Sequence, residues 1–233
     1  HQGNKKKLNF DINKFNKYKN KIEYLVISDF PKNLGNWERE NFQRNYLSNG
    51  LHIAADDDYI LISDVGAHKM WIARNYPCYE PNTCIVPNGF CSMGYALPAV
   101  IAASLTNTNH RIFSICGDAG FLMNLQEMET AKRLNSNFVV IIWEDKSYGL
   151  IKWKQQAQFG RSTELDFDNP DWEKLAKSFD WNYLYEDDSS KIFNKLQETN
   201  SLQGPTLFVI PIDYSENEKL TKFLGTLEKS YDI

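Results

Sequence analysis

The chain has 233 residues and a formal net charge of −4, with 42% hydrophobic and 14% aromatic residues. This length suits one large domain, or one domain with a small extension, and the composition supplies enough apolar side chains for a sizeable core. The acidic balance argues against general nucleic-acid binding. We expect neither a membrane span nor a signal sequence, because no apolar run is long enough. The four cysteines lack zinc-ribbon spacing, so we expect them to be reduced and buried in a cytoplasmic protein.

Residues 4–21 are dominated by lysine and asparagine, a composition typical of a solvated segment. A basic tail that binds nucleic acid is the alternative, and the acidic charge of the whole chain disfavours it. Residues 22–28 are apolar enough for a strand, and the periodic pattern of a folded domain begins near Tyr59. We therefore predict that residues 1–56 are a lead-in or linker from a preceding domain, and that residues 57–233 form the folded domain.

Apolar runs alternate with helical periodicities along the folded part of the chain. The runs predict strands at 59–63, 83–86, 111–116, 137–143, 182–185 and 206–210. The periodicities and start signals predict helices at 69–75, 93–105, 150–158, 169–179 and 189–198, a single helix through Leu125 to Leu134, and a last helix after Tyr214. Strands that alternate with helices indicate an α/β fold, in which a parallel sheet is covered by helices on both faces.

Two short polar segments each follow a predicted strand, Gly117–Phe121 (Gly-Asp-Ala-Gly-Phe) and Glu144–Gly149 (Glu-Asp-Lys-Ser-Tyr-Gly). Asp118 and Asp145 therefore lie at the carboxyl ends of two strands, where open parallel sheets bind ligands. Glycines in the first segment allow the backbone to approach a ligand, and the following helix presents amides suited to an anion. Two carboxylates would repel a phosphate unless a divalent cation bridged them, and oxygen ligands favour Mg²⁺. The alternative is a surface turn with two unrelated acids.

This unit resembles the thiamine-diphosphate motif, which begins Gly-Asp-Gly and closes with Asn-Asn or Asn-Asp. The matching residues are Gly117–Ala119 and Glu144–Asp145. Ala119 replaces the third-position glycine, as is familiar in acetolactate synthases, and Glu144 replaces the first asparagine. The spacing between the two aspartates fits the family. The Mg²⁺ ligands that the resemblance implies, beside diphosphate oxygens and water, are Asp118, Asp145 and the backbone carbonyl of Ser147.

Two further segments resemble acetolactate synthases, the thiamine-diphosphate enzymes that condense two pyruvates. Ile62–Trp71 resembles their Asp-Val-Gly-x-His-x-x-Trp segment, in which the turn amides and the histidine region contact the cofactor's diphosphate. Asn88–Pro98 resembles the segment that bends the cofactor. There Met93 matches a wedge between the two rings, and the backbone carbonyl of Cys91 matches an acceptor for the aminopyrimidine. The alternatives are a locally hydrogen-bonded His68 and a methionine in an ordinary core.

The helix after the second aspartate, Tyr148–Gln155, resembles the substrate-facing helix of the family. The resemblance implies an apolar wall around the pyruvate methyl, and packing into the sheet is the alternative. Pro211–Asn217 resembles the terminal Val-Asp-Tyr-Ser-x-Asn segment of the catabolic, flavin-independent branch. The implied catalytic residues are Met93, Ile151 and Trp153. The implied cofactor-binding residues are Val65, Gly66, Ala67, His68, Cys91, Met93, Gly117, Asp118, Ala119, Gly120, Asp145, Tyr148 and Gly149.

The resemblance runs from about Asp57 to Asn217 and implies that residues 57–233 are the carboxy-terminal domain of an acetolactate synthase, which binds thiamine diphosphate and Mg²⁺. The whole enzyme decarboxylates pyruvate and condenses it with a second pyruvate to 2-acetolactate, in acetoin or branched-chain amino acid biosynthesis. In this family a pyrimidine-binding domain, of the same or a partner subunit, supplies a glutamate that activates the cofactor. No stretch of this chain matches that domain. We therefore expect a homo-oligomer, dimer or tetramer, and a chain that is inactive alone.

Two other functions stay open at this point. One is a domain of a related thiamine-diphosphate enzyme, either a pyruvate oxidase or a 2-oxoacid decarboxylase such as an indolepyruvate decarboxylase. The second substrate distinguishes these enzymes, so product analysis separates them. The other is a cofactor-binding or assembly module without activity of its own, and the activity of the chain measured by itself separates it from the enzymes.

Overall fold

The computed structural model describes residues 59–76, 78, 81–106, 110–214 and 217. Within these ranges six parallel strands form one sheet in the order β2-β1-β3-β4-β6-β5. The strands are β1 (Tyr59–Ser63), β2 (Cys84–Ile85), β3 (Arg111–Gly117), β4 (Val139–Glu144), β5 (Asn182–Tyr185) and β6 (Thr206–Pro211). The predicted lead-in at 1–56, the strand at 22–28 and nearly all of the helix after Tyr214 lie outside the described residues.

The helices cover both faces of the sheet, as predicted. They are α1 (Ala67–Asn75), α2 (Ala96–Thr106), α3 (Asp118–Met123), α4 (Glu127–Arg133), α5 (Gly149–Phe159), α6 (Trp172–Ser178) and α7 (Ser189–Glu198), followed by a 3₁₀ turn at Thr199–Ser201. Side chains of α2, α3, α4 and α6 build one buried cluster, and side chains of α1 and α7 build the other. Within the described ranges no helix has both the length and the apolarity of a membrane-spanning segment.

Each central strand contributes alternate side chains to the two clusters, because successive residues of a strand point to opposite faces. In β3, Ile112 and Cys116 belong to the cluster under α2, whereas Phe113 and Ile115 belong to the cluster under α1. β4 and β6 follow the same rule. Since both faces are covered, these strands consist of nearly continuous apolar runs, which is typical of buried parallel strands.

The strand order places one topological switch between β1 and β3. The chain leaves β1 through α1 to the edge strand β2, then crosses the other face through α2 to reach β3 on the opposite side of β1. The connections after β1 and after β3 therefore diverge to opposite faces and leave a crevice at the carboxyl ends of these strands. Open parallel sheets bind ligands at such a crevice.

A single helix carrying Leu125 to Leu134 was predicted between the first polar segment and β4, and this prediction was wrong because the structure has two helices there. A turn at 124–126 separates α3 from α4. The side-chain amide of Asn124 donates to the carbonyl oxygen of Gly94 (2.8 Å), and the Asn124 carbonyl accepts from the amide of Glu127 (2.9 Å). This tertiary hydrogen bond holds Asn124 at the break, and helical spacing alone does not reveal it.

The expectation for the cysteines was right in part. None of the four forms a disulfide, and Cys116 is buried in β3. Cys84 is half-buried, whereas Cys78 and Cys91 are exposed, so the prediction of burial was wrong for these two. Both lie in connections beyond the ends of the regular elements, outside the two apolar clusters.

Candidate functional site

A pocket lies at the carboxyl ends of β1, β3 and β4, where the turns that follow these strands meet. It is lined by Val65, Gly66, Ala67, His68, Met93, Gly117, Asp118, Ala119, Gly120, Asp145, Ser147, Tyr148, Gly149, Leu150, Ile151 and Tyr214. Of the residues predicted from sequence for this site, Cys91 and Trp153 lie outside the lining. Leu150 and Tyr214 line it although sequence reasoning did not assign them.

Tyr214 reaches the pocket on the segment that follows β6. Among the lining residues it lies beside Gly149, where an added Cβ would be 3.9 Å from the Tyr214 ring. A few residues further, the Asn217 side chain accepts a buried hydrogen bond from the indole of Trp71 (2.8 Å). The terminal segment and α1, which are remote in sequence, are thus joined beside the pocket. The signal in the sequence was the Pro211–Asn217 segment, whose position relative to the pocket only the fold provides.

A buried aspartate, Asp64, ties the loops around the pocket together. Its Oδ1 accepts from the amide of Val65 (2.7 Å) and its Oδ2 from the amide of Gly94 (3.1 Å). Burial raises its pKa, and backbone amides that include Ala96 at the start of α2 act in the opposite direction. A Cβ on Gly120 would lie 2.8 Å from Asp64 Oδ2, so helix α3 also approaches this carboxylate closely. Sequence reasoning included Asp64 in a matched segment but gave it no role.

His68 forms part of the pocket wall as a neutral imidazole. It is 2% exposed, and burial lowers its pKa to about 4. Its ring meets Trp143 edge-on, with 6.5 Å between centroids. A Cβ on Gly66 would lie 2.8 Å from His68 Cε1, so glycine is needed there. The Nε2 atom is buried and makes no hydrogen bond within the described residues. An orphaned polar atom in the wall of a pocket is a suitable partner for a ligand.

The two predicted metal-binding aspartates both line the pocket, and their surroundings differ. Asp118 Oδ1 accepts from the amide of Ala119 (2.8 Å), and Oδ2 accepts from the amide of Lys146 (2.7 Å) and from Asn169 Nδ2 (2.8 Å). The pKa of Asp145 is raised to about 7, first by burial and then by the charge of Asp118. The lining contains no lysine or arginine that could neutralise this pair.

The donor set fits a hard cation that takes part of its coordination from a ligand. Over the described ranges, no group of three or more histidine, cysteine, aspartate or glutamate side chains is arranged to hold a metal. Two carboxylates and a backbone carbonyl leave several positions of an octahedral ion for phosphate oxygens and water, which is the usual arrangement for Mg²⁺. The crowded carboxylates and the orphaned imidazole nitrogen are consistent with such a ligand.

The turn that carries Asp145 and Ser147 is braced by the loop between α5 and α6. The amide of Tyr148 donates to the carbonyl of Leu165 (3.0 Å), and the amide of Phe167 donates to the carbonyl of Lys146 (3.1 Å). Ser147 and Asp166 form an antiparallel bridge between these hydrogen bonds. The backbone of Ser147, whose carbonyl is a predicted ligand, is therefore held from both sides.

The predicted substrate side of the pocket is open. Ile151 lines it and is 45% exposed, whereas Trp153 is half-buried and faces away from the lining. No side chain of α5 is buried, so the alternative that these residues pack into the sheet does not apply. Met93 lies in the lining, half-buried, immediately before Gly94, whose φ of +82° is strained for residues with a side chain.

Cys91 lies on the loop that leads to Met93, outside the lining and exposed. Its Sγ is 3.3 Å from Lys69 Nζ, and the same ammonium donates to the carbonyl of Pro87 (2.6 Å). The loop is therefore attached to α1 by Lys69. The role predicted for the Cys91 carbonyl stays a prediction.

Substitution of Asp145 by asparagine is expected to stabilise the metal-free chain in a pH-dependent way. Because the folded-state pKa is raised from 3.8 to about 7, the folded chain binds this proton more tightly than the unfolded chain. The contribution of Asp145 to stability therefore falls as pH rises through that window. Asp145→Asn should raise the free energy of unfolding more at about pH 8 than at about pH 5. Urea unfolding in a chelator, followed by tryptophan fluorescence, measures both values.

Titrating groups remote from Asp145 are common to the wild type and the variant, so they cancel in the difference between the two free energies of unfolding. A stability gain of equal size at both pH values would show that folding does not raise the pKa of Asp145.

Comparisons with known proteins agree with this geometry. The family described as "Thiamine pyrophosphate enzyme, C-terminal TPP binding domain" matches residues 64–210. The chain is 33% identical over 220 residues to an acetolactate synthase of Bacillus subtilis (strain 168), covering 89% of this chain and 39% of that protein. It is 32% identical over 165 residues to the catabolic acetolactate synthase of Raoultella terrigena, covering 71% and 30%.

A more distant relative is the mitochondrial catalytic subunit of acetolactate synthase from Saccharomyces cerevisiae, 27% identical over 201 residues, with 85% of this chain and 28% of that protein covered. The chain thus spans well under half the length of these curated relatives. The resemblance stated from the sequence motifs is confirmed. The chain belongs to the family of thiamine pyrophosphate enzymes, and it carries the C-terminal TPP binding domain that it shares with acetolactate synthases.

Proposed function

We propose that this chain binds thiamine diphosphate together with Mg²⁺ and serves an acetolactate synthase that converts two pyruvates to 2-acetolactate and carbon dioxide. The observation that carries the proposal is the pocket at the strand switch, where Asp118 and Asp145 crowd together beside glycine turns and helix starts. The relatives named above, all acetolactate synthases, favour this reaction over those of a pyruvate oxidase or a 2-oxoacid decarboxylase.

The chain's own residues provide the anchor. Asp118, Asp145 and the backbone carbonyl of Ser147 would hold Mg²⁺, and their fixed orientations follow from the hydrogen bonds described above. The nine-residue helix α1 starts at Ala67 in the pocket wall, and its first amides suit a diphosphate. His68 stays neutral at physiological pH, so its buried Nε2 adds a hydrogen-bonding atom without a charge.

Thiamine diphosphate, when bound, supplies the electron sink that allows pyruvate to lose carbon dioxide. The proposed contribution of Met93 is to wedge between the two rings of the cofactor. The backbone carbonyl of Cys91 would accept a hydrogen bond from the aminopyrimidine. Ile151, exposed at the pocket rim, would contact the substrate methyl. Trp153, two residues further along α5, lies outside the lining and would act only through Ile151 or a partner domain.

The proposal extends to partners. A pyrimidine-binding domain of the same or a partner subunit would complete the site, in a homo-oligomer that works in the cytoplasm. The exposed helix α5 and the open substrate side of the pocket support this, because both leave apolar side chains such as Ile151 and Phe159 uncovered in the described part of the chain.

Calorimetry tests the cofactor part of the proposal. Thiamine diphosphate titrated into the chain with excess Mg²⁺ should bind saturably, and the same titration in a chelator should give no saturable heat, because the two aspartates would repel the diphosphate. Thiamine without phosphates is the matched control ligand, and it should bind far more weakly. Equal binding with and without Mg²⁺ would contradict the metal bridge, and absence of binding in both would contradict the proposed function.

A further inference from the structure

Three carboxylates gather at the carboxyl ends of β3 and β4, yet only two of them line the pocket. Asp118 and Asp145 line it, and Glu144 does not. Glu144 occupies the position where the thiamine-diphosphate motif has asparagine. Its Oε1 accepts from Trp172 Nε1 and from Asn169 Nδ2, each at 2.8 Å. The side chain is thereby directed toward α6.

The amide of Asn169 serves a second carboxylate at the same time. Its Nδ2 also donates to Asp118 Oδ2 at 2.8 Å. A primary amide nitrogen has two hydrogens, so one can be given to each carboxylate. Ionised carboxylates only accept hydrogen bonds, and two of them cannot hold each other in place without a donor between them. Asn169 is such a donor, and it links residues that lie 51 and 25 positions away in the chain.

The orientation of this amide is set by the two carboxylates. Asn169 Oδ1 is buried and makes no hydrogen bond within the described residues. A flipped amide would place that oxygen against two negatively charged acceptors, so the observed orientation is strongly favoured. The backbone on either side is fixed too, since Phe167 is bonded to Lys146 and the side chain of Asp171 caps α6 through the amide of Lys174 (3.0 Å).

We propose that Asn169 is a positioning residue for the metal site: it orients Asp118 toward the pocket and holds Glu144 out of it. This inference rests on the proposed Mg²⁺ and thiamine-diphosphate binding. Glu144 can stand in the motif because Asn169 and Trp172 satisfy its carboxylate away from the cation. Asp118 keeps its orientation because Oδ2 is bonded to Asn169 and to the amide of Lys146.

The test measures metal affinity rather than catalysis. Mn²⁺ replaces Mg²⁺, and electron paramagnetic resonance of the 233-residue chain with excess thiamine diphosphate gives the bound fraction. Asn169→Ala and the nearly isosteric Asn169→Asp should each weaken Mn²⁺ binding by about 10- to 100-fold, the usual cost of losing an outer partner of a metal ligand. The matched control is Asn182→Ala, which removes an amide at the start of β5 that bonds to Gln203 and Thr206. It should leave the Mn²⁺ affinity unchanged.

A double variant separates positioning from simple stability. In Glu144→Gln/Asn169→Asp the amide stands at position 144 and the carboxylate at position 169, so these two side chains can again form a hydrogen bond. The melting temperature should therefore recover relative to Asn169→Asp. Asp118 would still face a carboxylate, so the Mn²⁺ affinity should stay low. Wild-type affinity in folded Asn169→Asp, or affinity that recovers together with the melting temperature, would overturn the inference. If the wild-type chain binds no Mn²⁺ in the presence of the cofactor, the proposed function fails, and the inference fails with it.

Discussion

Replacement of Asp145 by alanine is expected to abolish metal-dependent binding of thiamine diphosphate. Asp118 cannot compensate, because its Oδ2 already accepts from Lys146 and Asn169, and only Oδ1, which accepts from Ala119 alone, has a lone pair left for the ion. Burial and the charge of Asp118 raise the pKa of Asp145, so a bound Mg²⁺ would stabilise its ionised form. Without Asp145, one carboxylate and one carbonyl remain to bridge a hard divalent ion to a diphosphate. Calorimetric titration with excess Mg²⁺ measures the loss.

Two controls distinguish a loss of the binding site from a general loss of structure. Metal-free Asp145→Ala should be at least as stable as the wild type near neutral pH, since a strained buried charge is removed, so a loss of binding would not reflect unfolding. The control Glu173→Ala removes a carboxylate on α6 whose ion pair with Lys177 is exposed, and such pairs contribute about 0–1 kcal/mol. That variant should bind normally. Cofactor affinity unchanged in Asp145→Ala would exclude Asp145 from the site.

The fold could be predicted from the sequence because its signals are local. A buried parallel strand is a short apolar run, and the run at 59–63 coincides with β1. α7 spans Ser189–Glu198 as predicted, because Ile192 and Leu196 recur on one face behind a capping aspartate. Boundaries were less accurate where a tertiary contact sets them. α2 starts at Ala96 rather than Met93 because Gly94 is held in a left-handed turn by Asp64 and Asn124.

The difference between local signals and tertiary contacts also explains which residues of the candidate site could be predicted. The pocket residues predicted from sequence stand in short segments directly after strands, and the parallel sheet brings those segments to one edge. Asn169 and Asp64 were missed because their roles depend on partners 51 and 30 residues away, which no local pattern reveals. Trp153 was included together with Ile151 because Tyr148–Gln155 resembles the substrate-facing helix of the family. Two residues along a helix differ by about 200°, so only one of them faces the pocket.

The second large effect concerns catalysis: the 233-residue chain alone is expected to form no measurable 2-acetolactate from pyruvate. In the family that the sequence resembles, a glutamate from a pyrimidine-binding domain makes the cofactor's own amine basic enough to remove the proton from its reactive carbon. The carboxylates that line the pocket in the described structure are Asp118 and Asp145, both at the proposed metal. No glutamate lines it within the same residues.

The glutamates near the motif are committed elsewhere. Glu129 on α4 is paired with Arg133 (3.0 Å), and Glu144 is bonded to Asn169 and Trp172. Glu127 lies in the first turn of α4, beyond α3 and the turn at 124–126. None of the three lines the pocket in the described residues, whereas in the family the activating acid must reach the far side of the pyrimidine ring. The uncovered apolar side chains around the pocket also favour weak cofactor affinity and self-association.

The assay is 2-acetolactate formation from pyruvate with excess Mg²⁺ and thiamine diphosphate, and Asp145→Ala gives the background. Wild-type chain and variant should be indistinguishable, although only the wild type binds cofactor in calorimetry. Binding without turnover would locate the missing step after cofactor anchoring, as expected for a site that lacks its activating acid. Turnover of about 1 per second or more, an ordinary enzyme rate, would show that this chain supplies that acid itself. The proposed need for a pyrimidine-binding domain would then be wrong.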